Sequence, residues 1–134
     1  FKLAWTRKYA RQADNACKLV SARPKLLITY TLPKPSGRLP VAVGKSWNAF
    51  ITGVKNHERV HGEQIKDMVR AIEAPTIGLS VPDDPDCQKI RLEMQPRLSA
   101  LSIAQRQKSR DFDRDEMSDG GNIQQLILKL VNGP

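Results

Sequence analysis

The chain has 134 residues and a formal net charge of +8; 40% of its residues are apolar and only 5% are aromatic. This length fits a single domain, 1–134, with a mainly aliphatic core. No stretch approaches the roughly 20 apolar residues of a membrane span, and the start at Phe1 indicates a trimmed product. The scattered cations lack interleaved aromatic residues, so we expect no nucleic-acid partner and only a weak attraction to anionic envelope surfaces.

Residues 1–40 are predicted to be mainly strands. The segment 25–32 is rich in β-formers, with Pro24 at its start and Pro33 after its end. Segments 17–20 and 5–9 are its predicted antiparallel neighbours. The N-terminal third therefore predicts a small antiparallel sheet, followed by a Pro- and Gly-containing loop.

Residues 46–74 are predicted to form a helix. Apolar residues recur there at helical spacing over more than six turns, from Trp47 to Ile72, and Pro75 is expected to end the helix. On the same row, Glu58 and His61 replace apolar residues. Because burying such groups unpaired is costly, a metal or hydrogen-bond partners must accompany them.

This helix carries the motif HExxH, in the run His57-Glu58-Arg59-Val60-His61, which contains both histidines of the chain. Four residues make just over one helical turn, so both imidazoles can bind one Zn²⁺. Glu58 can then act as the general base on water at the metal. The alternative is an ordinary helix with two hydrogen-bonded histidines and an ion pair such as Glu58 with Arg59 or a neighbour.

A second helix is predicted over 84–118, with Asp84 as N-cap and Pro85 at its first position. Pro96 is expected to kink it, and Gly120 and Gly121 to end it. Residues 122–131 could form a short helix or a strand. The fold class is therefore α+β: a small antiparallel sheet followed by two long helices. Cys17 and Cys87 could form a disulfide that closes a long loop, or remain two buried thiols.

Taken together, these features resemble a bacterial family, domain of unknown function 922, whose members are described as predicted secreted zinc-dependent proteases. The resemblance covers residues 5–121. It is carried by a Trp-x-x-Phe element at 47–50, the HExxH run at 56–61 and the Cys17/Cys87 pair. It implies a zincin-like domain, export to the periplasm or beyond, and a Cys17–Cys87 disulfide.

The resemblance also bears on the third zinc ligand. Members of the family follow Tyr-Asp at the end of the second helix with a Thr-x-His-Gly element, whose histidine is absent here. Asp119 is the predicted replacement and Asp113 the second choice, because carboxylates also bind zinc. Asp67 and Glu73 are interpreted as solvent-facing charges further along the first helix.

The sequence thus predicts a periplasmic or secreted zinc metallopeptidase acting on a protein or peptide substrate. His57, His61 and Asp119 would bind zinc, Glu58 would activate water, and Tyr30 or an arginine would stabilise the oxyanion. The alternative is a catalytically inactive, zincin-like binding or envelope-structural protein that has lost its third ligand. Neither the substrate nor the oligomeric state follows from the sequence.

Overall fold

The computed structural model describes residues 1–133. The elements in chain order are β1 (Lys2–Arg11), β2 (Cys17–Leu27), α1 (Val41–Thr76), β3 (Ser80–Val81), α2 (Lys89–Met117) and α3 (Asn122–Asn132). The α+β class is confirmed, and the sheet is antiparallel with strand order β1-β2-β3. No helix in this part of the chain is long and apolar enough to cross a membrane.

The three predicted strands are arranged differently from the expectation. Segment 17–20 and the first part of 25–32 belong to one strand, β2, while residues 28–32 lie outside the sheet and the third strand is β3. Two features allow β2 to continue. Val20 bulges out between the pairs Lys8–Ser21 and Tyr9–Leu19. Pro24 lies where β2 has β1 as its one neighbour, a position at which a missing N–H is tolerated.

The two long helices also differ from their predicted bounds. α1 begins at Val41, before residue 46, and Pro75 lies in its last turn because the helix continues to Thr76. α2 begins at Lys89 and not at Pro85, and Pro96 lies within it. The segment 122–131, left open as helix or strand, lies within helix α3.

The chain comprises two compact units. The first combines Phe1–Thr29 with Ile65–Arg106, and the second combines Tyr30–Gln64 with the chain from Gln107 onwards. The single domain expected over 1–134 stays a prediction. The first unit contains the sheet and a buried cluster in which β2, β3 and α2 contribute small and aliphatic side chains: Cys17, Leu19, Ala22, Val81, Ile90 and Met94.

The disulfide between Cys17 and Cys87 is present in the first unit and confirms the predicted pair. Nearby, both carboxylate oxygens of buried Asp84 accept hydrogen bonds at 2.9 Å, from the backbone N–H groups of Lys89 and Ile90. Asp84 therefore caps α2 from a distance and is not its N-cap residue. Burial raises the pKa of Asp84, but these hydrogen bonds outweigh it and hold the pKa below its usual value.

The second unit contains the HExxH part of α1, the end of α2, and α3. The side chains of Ile123 and Leu126 on α3 pack against Gly53, one turn before His57 on α1. Gly120 connects α2 to α3 with a φ of +84°, a conformation that favours glycine. The end of α2 and the HExxH turns of α1 thus belong to the same compact unit.

Candidate metal centre

The two histidines of HExxH lie one turn apart on α1, and their rings meet edge to face with centroids 4.7 Å apart. His57 is buried, with 3% of its surface exposed, and His61 is partly buried. Their Nε2 atoms are 3.1 Å apart. The inward row of α1 therefore includes His57 rather than Glu58, which is half-buried.

Asp113 on α2 completes the cluster. Its Oδ1 lies 2.8 Å from Nε2 of His57 and 2.6 Å from Nε2 of His61. These three residues form a group whose ligand atoms could hold one metal ion. Two ligands about 2.0–2.1 Å from a tetrahedral zinc ion are about 3.3 Å apart, so the sides of the observed triangle need to widen by roughly 0.2–0.7 Å.

The other nitrogen of each histidine faces an oxygen atom of α2. Nδ1 of His57 is 3.3 Å from Oε1 of Glu116, and Nδ1 of His61 is 3.2 Å from Oγ of Ser109. When each Nδ1–H donates to its oxygen, both Nε2 lone pairs point at Asp113. Outer partners of this kind fix the tautomer and the ring orientation of histidines that bind metals.

Phe112 packs against both imidazole rings. It stacks on His57 with centroids 4.6 Å apart and meets His61 edge-on at 5.3 Å. Asp113 lies on the open side of the cluster, because 52% of its side chain is exposed. The cluster thus has a partly buried aromatic wall on one side and an opening to solvent at Asp113 on the other.

The cluster and its neighbours bring three carboxylates, those of Asp113, Glu58 and Glu116, to only two imidazoles. Within residues 1–133, Glu58 has no hydrogen bond or ion pair, so the alternative finds support in its two hydrogen-bonded histidines and none in its ion pair of Glu58 with Arg59 or a neighbour. The site therefore contains more negative charge than its own side chains compensate, which favours a bound cation.

Tyr30 packs on α1 next to the motif. Its hydroxyl fills the space that a side chain at Gly62 would occupy, and its Cζ lies 3.3 Å from the position of such a Cβ. Glu58 and Gly62 are four residues apart and so share one helix face. Tyr30 therefore lies on the face of α1 that also carries Glu58.

Asp119, the predicted third ligand, is not a member of the ligand group; it lies in the exposed turn after α2. Its role as a ligand stays a prediction that this geometry does not support, whereas the second choice, Asp113, is in place. Asp67 is exposed and forms an ion pair with Arg70, in agreement with its interpretation as a surface charge. Glu73 is likewise outside the group.

Sequence reasoning assigned no role in the site to Glu116, Ser109 or Phe112, although the sequence contains a signal for them. Together with Asp113 they follow the spacing i, i+3, i+4, i+7 on α2. They continue the row that begins with buried Ile90 and Met94. This row becomes polar towards the end of α2, just as the inward row of α1 does at HExxH.

Residues 1–121 match the bacterial family of unknown function DUF922. The chain belongs to this family. Comparison with curated proteins and with solved structures finds no match. The family match covers most of the chain, and the observation that bears on chemistry is the group of His57, His61 and Asp113.

Proposed function

We propose that this DUF922 protein is an exported zinc-dependent metallopeptidase that cleaves protein or peptide substrates. The observation that carries the proposal is the convergence of His57 Nε2, His61 Nε2 and Asp113 Oδ1 beside the motif glutamate Glu58. Two nitrogens and one oxygen are a donor set that zinc accepts in catalytic sites, where three protein ligands leave one position open.

Each residue has a definite part in this proposal. Zinc, when bound, polarises a substrate carbonyl and lowers the pKa of water. Glu58 accepts the proton of the attacking water on its carboxylate and returns it to the leaving amine nitrogen. The Tyr30 hydroxyl, on the same helix face, donates a hydrogen bond to the substrate oxygen on which negative charge develops. Glu116 and Ser109 keep the two imidazoles in the metal-binding tautomer.

Export to the periplasm or beyond is part of the proposal. It is supported by the Cys17–Cys87 disulfide, because disulfides form and persist in oxidising compartments and are rare in the cytosol.

Metal content is the first test. Protein purified without chelator and without immobilised nickel should contain about one zinc ion per chain, because catalytic sites of this donor type bind one ion. Asp113→Ala should lose the metal. Asp119→Ala is the matched control and should retain it, since Asp119 is outside the ligand group. Loss of zinc from Asp119→Ala alone would restore the ligand set predicted from sequence.

Hydrolysis is the second test and separates an enzyme from an inactive zincin-like binding protein. A library of quenched fluorescent peptides should be cleaved by the zinc-loaded protein. Glu58→Gln should retain zinc and lose at least about 100-fold in rate, because it removes the general base. A protein that binds zinc normally and cleaves no peptide would be the inactive binding module.

A further inference from the structure

Five of the six exposed cations on the two long strands of the first unit lie on one face, and the sixth, Arg11, pairs with buried Cys17 on the other face. Residues alternate between the two faces of a strand, and the bulge at Val20 shifts this alternation by one residue, so Lys18 shares a face with Arg23 and Lys25. The exposed positions of this face include five cations, which we call the basic face: Lys2, Lys8, Lys18, Arg23 and Lys25. Neither β1 nor β2 contains an Asp or Glu residue.

The charge of the basic face is not neutralised by the rest of the protein. None of its five cations forms an ion pair with a residue between positions 1 and 133. Across the strands, Lys25 is paired with Ala4 and Arg23 with Thr6, so the cations lie beside small uncharged neighbours. A ribbon about 30 Å long at 3.3 Å per residue thus presents uniform positive charge.

Apolar surface lies among these cations. Val20 and Leu27 are 45% and 57% exposed. Between Lys2 and Lys25 there is a shallow depression of about 270 Å³, lined otherwise by Leu3, Ala4 and Leu27. Ammonium groups at the rim of an apolar depression fit a phospholipid, whose phosphate and acyl regions require both kinds of contact.

We propose that the basic face docks on the surface of an anionic phospholipid bilayer. A nucleic acid would also be attracted by the charge, but single strands need exposed aromatic rings for stacking. Trp5 and Tyr9, the aromatic residues of β1, are instead partly buried against the core of the first unit. The exposed aliphatic side chains favour a lipid headgroup layer over a phosphodiester backbone. This inference does not depend on the proposed peptidase activity.

Co-sedimentation with vesicles tests the proposal. The full chain should bind vesicles that contain about one-third phosphatidylglycerol, leave phosphatidylcholine vesicles unbound, and lose affinity as the salt concentration rises. The double variant Arg23→Gln/Lys25→Gln should weaken binding about 25-fold, because each cation near an anionic bilayer contributes about fivefold.

The matched control is Lys34→Gln/Arg38→Gln, which removes the same charge from exposed positions outside the sheet. It should keep the vesicle affinity within about twofold, because neither residue belongs to the basic face and net charge at a distance is screened by salt. Equal loss in both double variants would mean that net charge alone drives binding and would overturn the proposal. So would equal binding to phosphatidylcholine, or tighter binding to a DNA oligonucleotide that Arg23→Gln/Lys25→Gln abolishes.

Discussion

Glu116 and Ser109 decide which nitrogen of each histidine is free to bind a metal. Glu116→Ala removes the oxygen that faces Nδ1 of His57 and should weaken zinc binding about 10–100-fold, the usual effect of losing such a partner. Competition for zinc against a coloured chelator measures the affinity. Glu116→Gln keeps an acceptor oxygen and should weaken zinc binding less than Glu116→Ala does.

Asp115→Ala is the matched control for this experiment. Asp115 precedes Glu116 on α2 and is exposed, with an ion pair to Arg114 rather than a contact with the histidines. Its substitution removes the same charge and should leave zinc affinity nearly unchanged. If both alanine variants weakened zinc binding equally, the effect of Glu116 would be a general electrostatic one, and the tautomer argument would be wrong.

Gly62 allows a separate test of Tyr30. A Cβ at this position would overlap the Tyr30 hydroxyl, so Gly62→Ala should displace that hydroxyl without changing a ligand. On the proposed function, both Gly62→Ala and Tyr30→Phe should lower kcat about 100-fold with zinc content unchanged. The double variant should lose no more than either single variant, because both changes remove the same interaction. Additive losses in kcat would show that Tyr30 and Gly62 act independently.

The sequence was enough to predict that His57 and His61 lie side by side, because their spacing is about one helical turn; the role of Glu58 stays a prediction. The third ligand depends on which turn of α2 lies next to HExxH, and no local pattern specifies that contact. Asp119 was preferred because it precedes Gly120, as the family's histidine precedes a glycine. The helical spacing of Ser109, Asp113 and Glu116 would have favoured Asp113, because it places all three on the side of α2 that faces the histidines.

At the scale of elements, the helices were easier to predict than the sheet. The apolar periodicity of α1 extends over many turns, so an error of a few residues in its predicted ends leaves the helix itself correctly predicted. In β2, the bulge at Val20 shifts the alternation of buried and exposed residues, and Pro24 resembles the boundary of a strand. The sequence therefore predicts two strands where the structure has one. β3 has only two residues and is defined entirely by its pairing with Cys17 and Lys18.

The start of α2 depends on the carboxylate of Asp84. Its pKa is lowered in the folded protein, so its ionised form stabilises the fold above the unfolded pKa of about 3.9. Asp84→Asn should therefore lower the unfolding midpoint by several degrees at pH 7. The difference from the wild-type protein should shrink as the pH falls through the lowered pKa, where Asp84 becomes protonated.

Thermal unfolding followed by circular dichroism between pH 7 and pH 2 measures this difference. Asp86→Asn is the control, because Asp86 is exposed in the same loop and its carboxylate caps no helix. It should leave the midpoint nearly unchanged over the whole range. If the unfolding midpoints of Asp84→Asn and wild type differed by the same amount at all pH values, Asp84 would stabilise the protein through its shape and not through its charge.

On the scale of the whole molecule, the disulfide and the proposed metal centre each involve residues that are distant in sequence. The disulfide connects residues separated by 70 positions and lies in the first compact unit. The metal cluster connects α1 with α2 and lies entirely in the second unit. On the proposed function, the disulfide depends on redox conditions and the metal centre on bound zinc, so each can be disrupted without the other.

Breaking the disulfide should destabilise the fold without emptying the metal site. A closed loop of this length contributes about 4 kcal/mol on chain-entropy grounds, so reduction should lower the unfolding midpoint markedly. Because His57, His61 and Asp113 are in the other unit, the reduced protein should retain its zinc below the new midpoint. The variant Cys17→Ala/Cys87→Ala should behave like reduced wild type and be insensitive to reductant. Loss of zinc on reduction at a temperature where the helices persist would show instead that the metal site depends on the covalent link.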